Sequence, residues 1–312
     1  MVRGVIVLVL TLGLITGASI TLMGLLAPFA PSLEIVNHFR PFILGGFVAL
    51  VALALVFKMR RWLLPVTGFA ALNTVLLLAP VAFQASQASP ANTPAATLKI
   101  ISFNIWVGNR PLGDIEKFLR KENADVVLLQ EISSRHAAAL LPLLEDIYPH
   151  QLFCTKQRAC DVAMLSRTPW TDGRIVEGGA QNPALVWARF KEGAQSYRIA
   201  SLHSAWPFHP YAQAKHTDWL INWRKSISEP LLIAGDFNLT PFSWKLSKFA
   251  WETGLKRYST FQRSWPSHRY APVFLIDHMF STPAFRPIDV RVGPPLGSDH
   301  LPIIASVAFG NR

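Results

Sequence analysis

Leu231-Leu232-Ile233-Ala234-Gly235-Asp236-Phe237-Asn238 is the stretch on which the reading of this chain turns. Its first half is a run of aliphatic side chains with no polar residue, the pattern of a buried strand. A glycine breaks the run, and an acid and an amide follow where the strand ends. Alone, Asp236 before Phe237-Asn238 is equally an Asx turn. The arrangement recurs elsewhere, however. KIISFN ends at Asn104, VVLLQ runs into Glu131, RIASL into His203 and FLI into Asp277. The loop GSDH sets Asp299 and His300 just ahead of a last apolar run, LPIIASVAF. Strands lying side by side would bring these ends to one rim. Clustered carboxylates repel unless a cation lies between them, and oxygen ligands without thiolates select a hard cation such as Mg2+. Each residue also has a plainer reading: Asn104 as a turn former, Glu131 as a cap or salt-bridge residue, His203 as a structural histidine, Asp299-His300 as a strand cap. The chemical reading rests on their joint occurrence.

Outward from these runs, LKIISFNIW, ADVVLLQEI, DVAMLSR, ALVWARF, YRIASLHS, PLLIAGDFN, FLIDHMFST and LPIIASVAF read as strands. GDIEKFLRKEN has helical spacing, SSRHAAALLPLLEDI reads as a helix capped by Ser133 or Ser134, and residues 211–226 form another helix. Many strands with few intervening helices point to two packed sheets with helices outside rather than one doubly wound sheet.

The part before Leu98 differs in kind. Of the 30 Lys and Arg in the 312-residue chain only five lie there (Arg3, Arg40, Lys58, Arg60, Arg61), with a single acid, Glu34. Apolar stretches at about 4–26, 42–57 and 63–83 precede a small, polar, proline-containing run. The first and third are long enough to span a bilayer and the second is short for one. The first is too long and too evenly apolar for a cleaved signal peptide. The expected organisation is a membrane segment over residues 1–83 with three transmembrane helices, a flexible linker over 84–97 and a catalytic domain over 98–312. Lys58, Arg60 and Arg61 crowd between the second and third stretches, so the positive-inside rule puts that loop in the cytoplasm and the domain outside. The expected location is therefore the inner membrane, multi-pass, with the domain on the periplasmic side. Were one stretch not a span, the domain would be inverted. The remaining 25 basic and 18 acidic residues leave the domain at +7, which favours anionic partners or serves solubility beside a membrane. Cys154 and Cys160 are the only cysteines. Their spacing excludes a CxxC redox or zinc pair; they close a small disulfide loop in an oxidising compartment, or are two buried thiols.

Together and in this order, SFN, QE, GDFN, IDH and SDH resemble the endonuclease/exonuclease/phosphatase superfamily, over nearly all of the chain from Leu98 to about Phe309 and not over the membrane segment. The resemblance implies an α/β fold, a four-layer αββα sandwich preceded here by the transmembrane helices. It implies a phosphoesterase using Mg2+, or Mn2+ in its place. It assigns Asn104, Glu131 and Asp299 to the metal, Glu131 directly. Asp236 and Asn238 would orient the attacking water and contact phosphate, His300 would sit beside the scissile phosphate with Asp277 fixing it, and His203 would assist the leaving group or the phosphate. The family's usual Asn-x-His is Ser201-Leu202-His203 here, which removes one phosphate-contacting amide. His278 has no counterpart role.

The substrate is open at this level. Trp206, Phe208 and Tyr211 in the loop after His203 would stack bases or sugars, rest on lipid, or simply stiffen the loop. Arg263, His268 and Arg269 would form a phosphate-binding loop or be solvated charges. Three readings stand: a membrane-tethered phosphoesterase acting on lipid headgroups or other envelope phosphoesters, an extracytoplasmic nuclease on DNA or RNA, and a catalytically silent domain that binds anionic ligands. No protein partner is implied.

Overall fold

A computed structural model describes residues 2–85, 97–154, 160–258, 263–267 and 272–310. Most of the expected linker, and His268 and Arg269, lie outside these residues.

Three long helices come first: α1 (Val2–Leu25), α2 (Arg40–Val56) and α3 (Arg60–Gln84). A 3-10 helix, Pro31–Phe39, leads directly into α2. The segments Val2–Leu25, Pro31–Val56 and Arg60–Gln84 are each long and apolar enough to cross a membrane. The middle one, which looked short, gains its length from the 3-10 turns. Arg3, Lys58, Arg60 and Arg61 gather at one end of the bundle; Gln84 at the other end of α3 touches the domain that follows.

That domain runs β1 (Thr97–Asn104), α4 (Leu112–Glu122), β2 (Val126–Gln130), α5 (Ser134–Leu140), β3 (His150–Cys154), β4 (Val162–Ser166), β5 (Asp172–Val176), β6 (Ala184–Glu192), β7 (Gln195–His203), α6 (Pro210–Lys225), β8 (Leu231–Asp236), α7 (Trp244–Thr253), β9 (Lys256–Arg257), β10 (Asp277–Ser281), β11 (Phe285–Val292) and β12 (Ile303–Phe309). Two six-stranded mixed sheets result, ordered β11-β12-β1-β2-β4-β3 and β5-β6-β7-β8-β10-β9. Ile100, Val126 and Leu128 of the first meet Val186, Ile199, Leu232 and Ala234 of the second in the central core. Outer cores join the first sheet to α4 and α5 and the second to α6 and α7. The layers are therefore α, β, β, α. Ser133 caps α5, its hydroxyl accepting from the His136 amide at 3.2 Å. Cys154 and Cys160 are disulfide-bonded.

Strand alternation selects which side chains face the opposite sheet. Ile100, Ser102 and Asn104 lie on the inner face of β1; Ile199, Ser201 and His203 on that of β7; Leu232, Ala234 and Asp236 on that of β8. The intervening residues, such as Ile101, Phe103 and Ile233, pack on the helices. Deep between the sheets, Gln130 donates to the Ser201 hydroxyl at 2.8 Å, so the serine in place of the expected amide is a buried inter-sheet tie.

The bundle and the domain share a polar seam that the sequence reading did not foresee. The Ser243 hydroxyl donates to Glu34 at 2.5 Å, and Glu34 also accepts from Asn37 at 3.0 Å. Arg40 ties Asn37 to Asn73 of α3. The Thr240 amide donates to His38 Nδ1 at 3.2 Å. Gln84 donates to the Pro241 carbonyl at 3.0 Å. Thr240 lies two residues beyond Asn238, so the N-terminal helical segment braces the loop that follows Asp236.

Candidate metal centre and active site

Strand direction explains the convergence. β1 and β2 are parallel, and β4 and β12 run antiparallel to them. The C-terminal ends of the first pair and the N-terminal ends of the second share one edge. In the other sheet β7 and β8 are parallel and β10 is antiparallel, with the same outcome. Asn104, Glu131, His203, Asp236, Asn238, Asp277, Asp299 and His300 therefore all reach one rim. Arg263, by contrast, is exposed.

Asp236 occupies the centre. Its carboxylate accepts from the Asn238 amide at 2.8 Å, from Asn238 Nδ2 at 3.2 Å and from Asn104 Nδ2 at 3.1 Å. His300 Nε2 and His203 Nε2 lie 3.7 and 3.8 Å from its Oδ2. Asn104 also donates to Glu131 at 3.0 Å, and its Oδ1 accepts from the Trp106 amide at 3.0 Å. The second Glu131 oxygen takes the Val107 amide at 2.9 Å. His300 Nδ1 is 2.8 Å from Asp277. The Ser298 hydroxyl accepts from the His300 amide and donates to the Asn104 carbonyl. Asp299 accepts from Trp265 Nε1 at 3.1 Å through one oxygen, and its other oxygen is 4.0 Å from His300 Nε2.

The backbone is bent to serve this geometry. Glu131 and Asn238 sit at φ 55° and 53°, a left-handed conformation that costs most residues energy and gathers at functional sites. Gly235 has φ 147°, and a Cβ there would lie 2.1 Å from the Leu202 carbonyl oxygen. Only glycine lets β7 and β8 close up one residue before Asp236. His278, on the outer face of β10, is neutral: burial, with Arg257 adding to it, pushes its pKa down to about 3. Its Nε2 accordingly donates to the Leu239 carbonyl at 2.7 Å, which makes it a prop for the turn after Asp236.

Sequence reasoning missed Asp161, whose carboxylate is 2.8 Å from His203 Nδ1. The signal was present: an acid directly ahead of the buried run Val162–Ser166, as Asp299 stands ahead of the last strand. The rim thus holds two carboxylate-imidazole pairs, Asp161–His203 and Asp277–His300. Burial works against a charged His203, but Asp161, Asp236 and Glu131 outweigh it and raise its pKa to about 10. For His300, burial is outweighed by Asp277, Asp236 and Asp299, and the pKa rises to about 9. Burial pushes Asp236 up to about 7, with Asp277 adding to it and both histidines opposing.

Ligand atoms of Glu131, His203 and Asp236 lie within 4.8 Å of one another, as do those of Asp236, Asp277 and His300. His203 Nε2 and Asp299 Oδ1 are buried without any hydrogen-bond partner. Buried polar atoms are rarely left unpaired. Acids dominate the donor set and no thiolate is present, so these residues fit a hard divalent cation.

The family model for the endonuclease/exonuclease/phosphatase family matches residues 101–300, the span from β1 to His300. The chain belongs to this family. Its members are metal-dependent phosphodiesterases, nucleases and phosphatases, and the chain is an enzyme of that class, a hydrolase of ester bonds. Among solved structures, this family member resembles an endonuclease/exonuclease/phosphatase from Beutenbergia cavernae, with 21% identity over 69% of this chain and 72% of that one and a TM-score of 0.56. A mannosyl-6-phosphatase from Bacteroides thetaiotaomicron is 16% identical over 68% and 100%, with a TM-score of 0.54. D. rerio TDP2 complexed with a single-strand DNA product is 16% identical over 68% and 99%, with a TM-score of 0.57. At these identities the likeness is one of fold. A search of curated proteins finds no match to the chain.

Proposed function

We propose that the chain is a Mg2+-dependent phosphoesterase of the inner membrane, anchored through residues 1–83, linked through 84–97 and carrying its catalytic domain, 98–312, on the periplasmic side. The observation that carries the catalytic part is the meeting of Glu131, His203, Asp236 and the Asp277–His300 pair at one rim. The anchor is supported by three apolar helices and the orientation by the cations gathered at the bundle end away from the domain.

In this reading Glu131 and Asp299 hold the metal, with Asn104 beside them. Asn104, as placed, directs its NH2 at Glu131 and Asp236, so it sets the spacing of the carboxylates. The bound cation offsets phosphate charge and stabilises the charge that develops in the transition state. Asp236, raised by burial to about 7, orients a water in line with the leaving oxygen and takes its proton. Asn238 contacts the phosphate. His300, kept protonated by Asp277, donates through Nε2 to a phosphoryl oxygen. His203, held by Asp161, faces the leaving group.

If His300 acts as a cation, activity must fall as pH rises through its pKa. Asp277→Asn removes the anion that raises that pKa while burial goes on lowering it. The alkaline limb of kcat/KM is expected to move down by about 1–3 pH units. A pH-rate profile of the variant checks this; an unmoved limb would show that Asp277 does not set the charge of His300.

Orientation and activity are tested together. Intact spheroplasts carrying the full chain are expected to hydrolyse membrane-impermeant bis-p-nitrophenyl phosphate supplied outside with Mg2+. Hydrolysis that begins only on lysis would place the domain in the cytoplasm. None in either case would overturn the phosphoesterase reading.

A further inference from the structure

A cavity of about 190 Å³ adjoins the rim, lined by Asn238 and His300 and also by Ile35, His38, Phe39 and Phe274. It is larger than the ~150 Å³ apolar cavity known to take up benzene in another protein. Three observations say what fits it. First, its wall is shared between the catalytic domain, which supplies nine of the twelve lining residues, and the 3-10 helix Pro31–Phe39, which supplies Ile35, His38 and Phe39 and continues into α2 within one candidate membrane span. Second, aromatic rings form an unbroken path from the bundle to the rim. Phe42 of α2 is 6.3 Å from Phe274, and Phe274 is 5.8 Å from Trp265. Trp265 in turn donates to Asp299. Phe42 is 56% exposed on the bundle surface, at the helix end where aromatic side chains sit in a membrane interface. Third, His38 lines the cavity, and its Nε2 is buried without a hydrogen-bond partner. An unpaired donor at an apolar wall is costly unless a ligand oxygen meets it.

Polar groups of the catalytic rim, an otherwise apolar lining and a wall contributed by a candidate membrane span together match an amphiphile held by its head. We propose that the cavity receives the hydrocarbon chain of a membrane-resident phosphoester lipid, whose phosphate lies at Asn238 and His300 and whose chain runs past Ile35 and Phe39 toward α2. This rests on the phosphoesterase reading above and names its substrate class. A soluble sugar phosphate would leave the apolar wall unused. The lipid enters sideways from the membrane, which gives the seam between bundle and domain a purpose: it holds one wall of the cavity against the other.

Chain length is the discriminating variable, because each methylene moved from water to an apolar site is worth about fourfold in affinity. The full chain in detergent is assayed on 4-nitrophenyl butyl phosphate and 4-nitrophenyl dodecyl phosphate, which share one leaving group. The dodecyl ester is expected to be favoured roughly tenfold or more in kcat/KM. Ile35→Trp, which fills the cavity, is expected to bring that ratio close to one; partition of the ester into detergent is the same for both proteins. If Ile35→Trp does not fold, Phe39→Ser gives the same readout from a half-exposed position. Equal rates on the two esters with the natural sequence, or a preference untouched by these substitutions, would overturn the proposal and leave the phosphoesterase reading standing. Cleavage of a single-stranded DNA oligonucleotide that falls in step with Ile35→Trp would give the cavity to a base instead and overturn it too. If neither ester nor DNA is hydrolysed, the phosphoesterase reading falls and this one with it.

Discussion

His300→Ala is expected to lower kcat on a simple phosphodiester by about 10³-fold, within the range typical of a lost proton donor or oxyanion contact. The ring is buried at the rim, 3.7 Å from Asp236, and Asp277 and Ser298 fix it from behind. No other described side chain replaces its Nε2 between Asp236 and Asp299. The substitution also strands Asp277, which is only 2% exposed, and breaking a buried pair is strongly destabilising. The sign of that penalty is fixed. The folded-state pKa of His300 is raised from 6.5 to about 9, so the pair stabilises the fold fully below pH 6.5 and loses its effect as pH rises through about 9. Melting curves should therefore separate the natural chain from the variant most at low pH and least above that window. A variant that melts normally and still turns over at near the natural rate would remove His300 from the mechanism.

Asp236→Ala should be at least as severe, about 10³-fold or more in kcat, because this carboxylate belongs to both candidate ligand groups. Three hydrogen bonds converge on it from Asn104 and Asn238. The isosteric Asp236→Asn keeps the volume and removes the charge, so it should be nearly as slow if charge is what matters. A fast Asp236→Asn enzyme would reduce Asp236 to a structural turn residue. The double variant with His300→Ala should lose little beyond the worse single variant, since groups that act as a unit are not additive.

Both predictions concern residues that border apolar runs, Asp236 at the end of one and His300 just ahead of another, and the reason is physical. Once a strand is buried, alternation dictates its inward face, and a polar residue at that face near the strand end must open on something other than core. Asn104, His203 and Asp236 follow this rule. So did the two-sheet architecture, since β2, β8 and β12 are almost wholly apolar and β1 and β7 end in largely buried runs, Ile100–Asn104 and Ile199–His203. The strands that escaped notice are those without such runs. Arg174 of β5 is exposed and its neighbours are half-buried, and β11 interleaves charges with Pro287 at the sheet edge. Helix α7 hid because WKLSKFAWET mixes aromatics and lysines; its Ser243 cap and its left-handed Gly254 mark its ends.

Glu34 shows where sequence reading stops. As a lone acid among apolar stretches it counted only toward orientation. In the structure it is buried and accepts from Ser243, more than two hundred residues away. No local pattern carries that pairing. The same holds for the cavity lined by Phe274, part of whose wall, Ile35, His38 and Phe39, comes from the N-terminal helical segment.

The decisive measurement is hydrolysis of bis-p-nitrophenyl phosphate by the purified full chain, stripped with EDTA and then titrated with Mg2+ or Mn2+. The account predicts no turnover in EDTA, saturable recovery as either cation is added, and for Asp236→Ala a rate that stays about 10³-fold lower at any concentration. Undiminished hydrolysis in EDTA would contradict it.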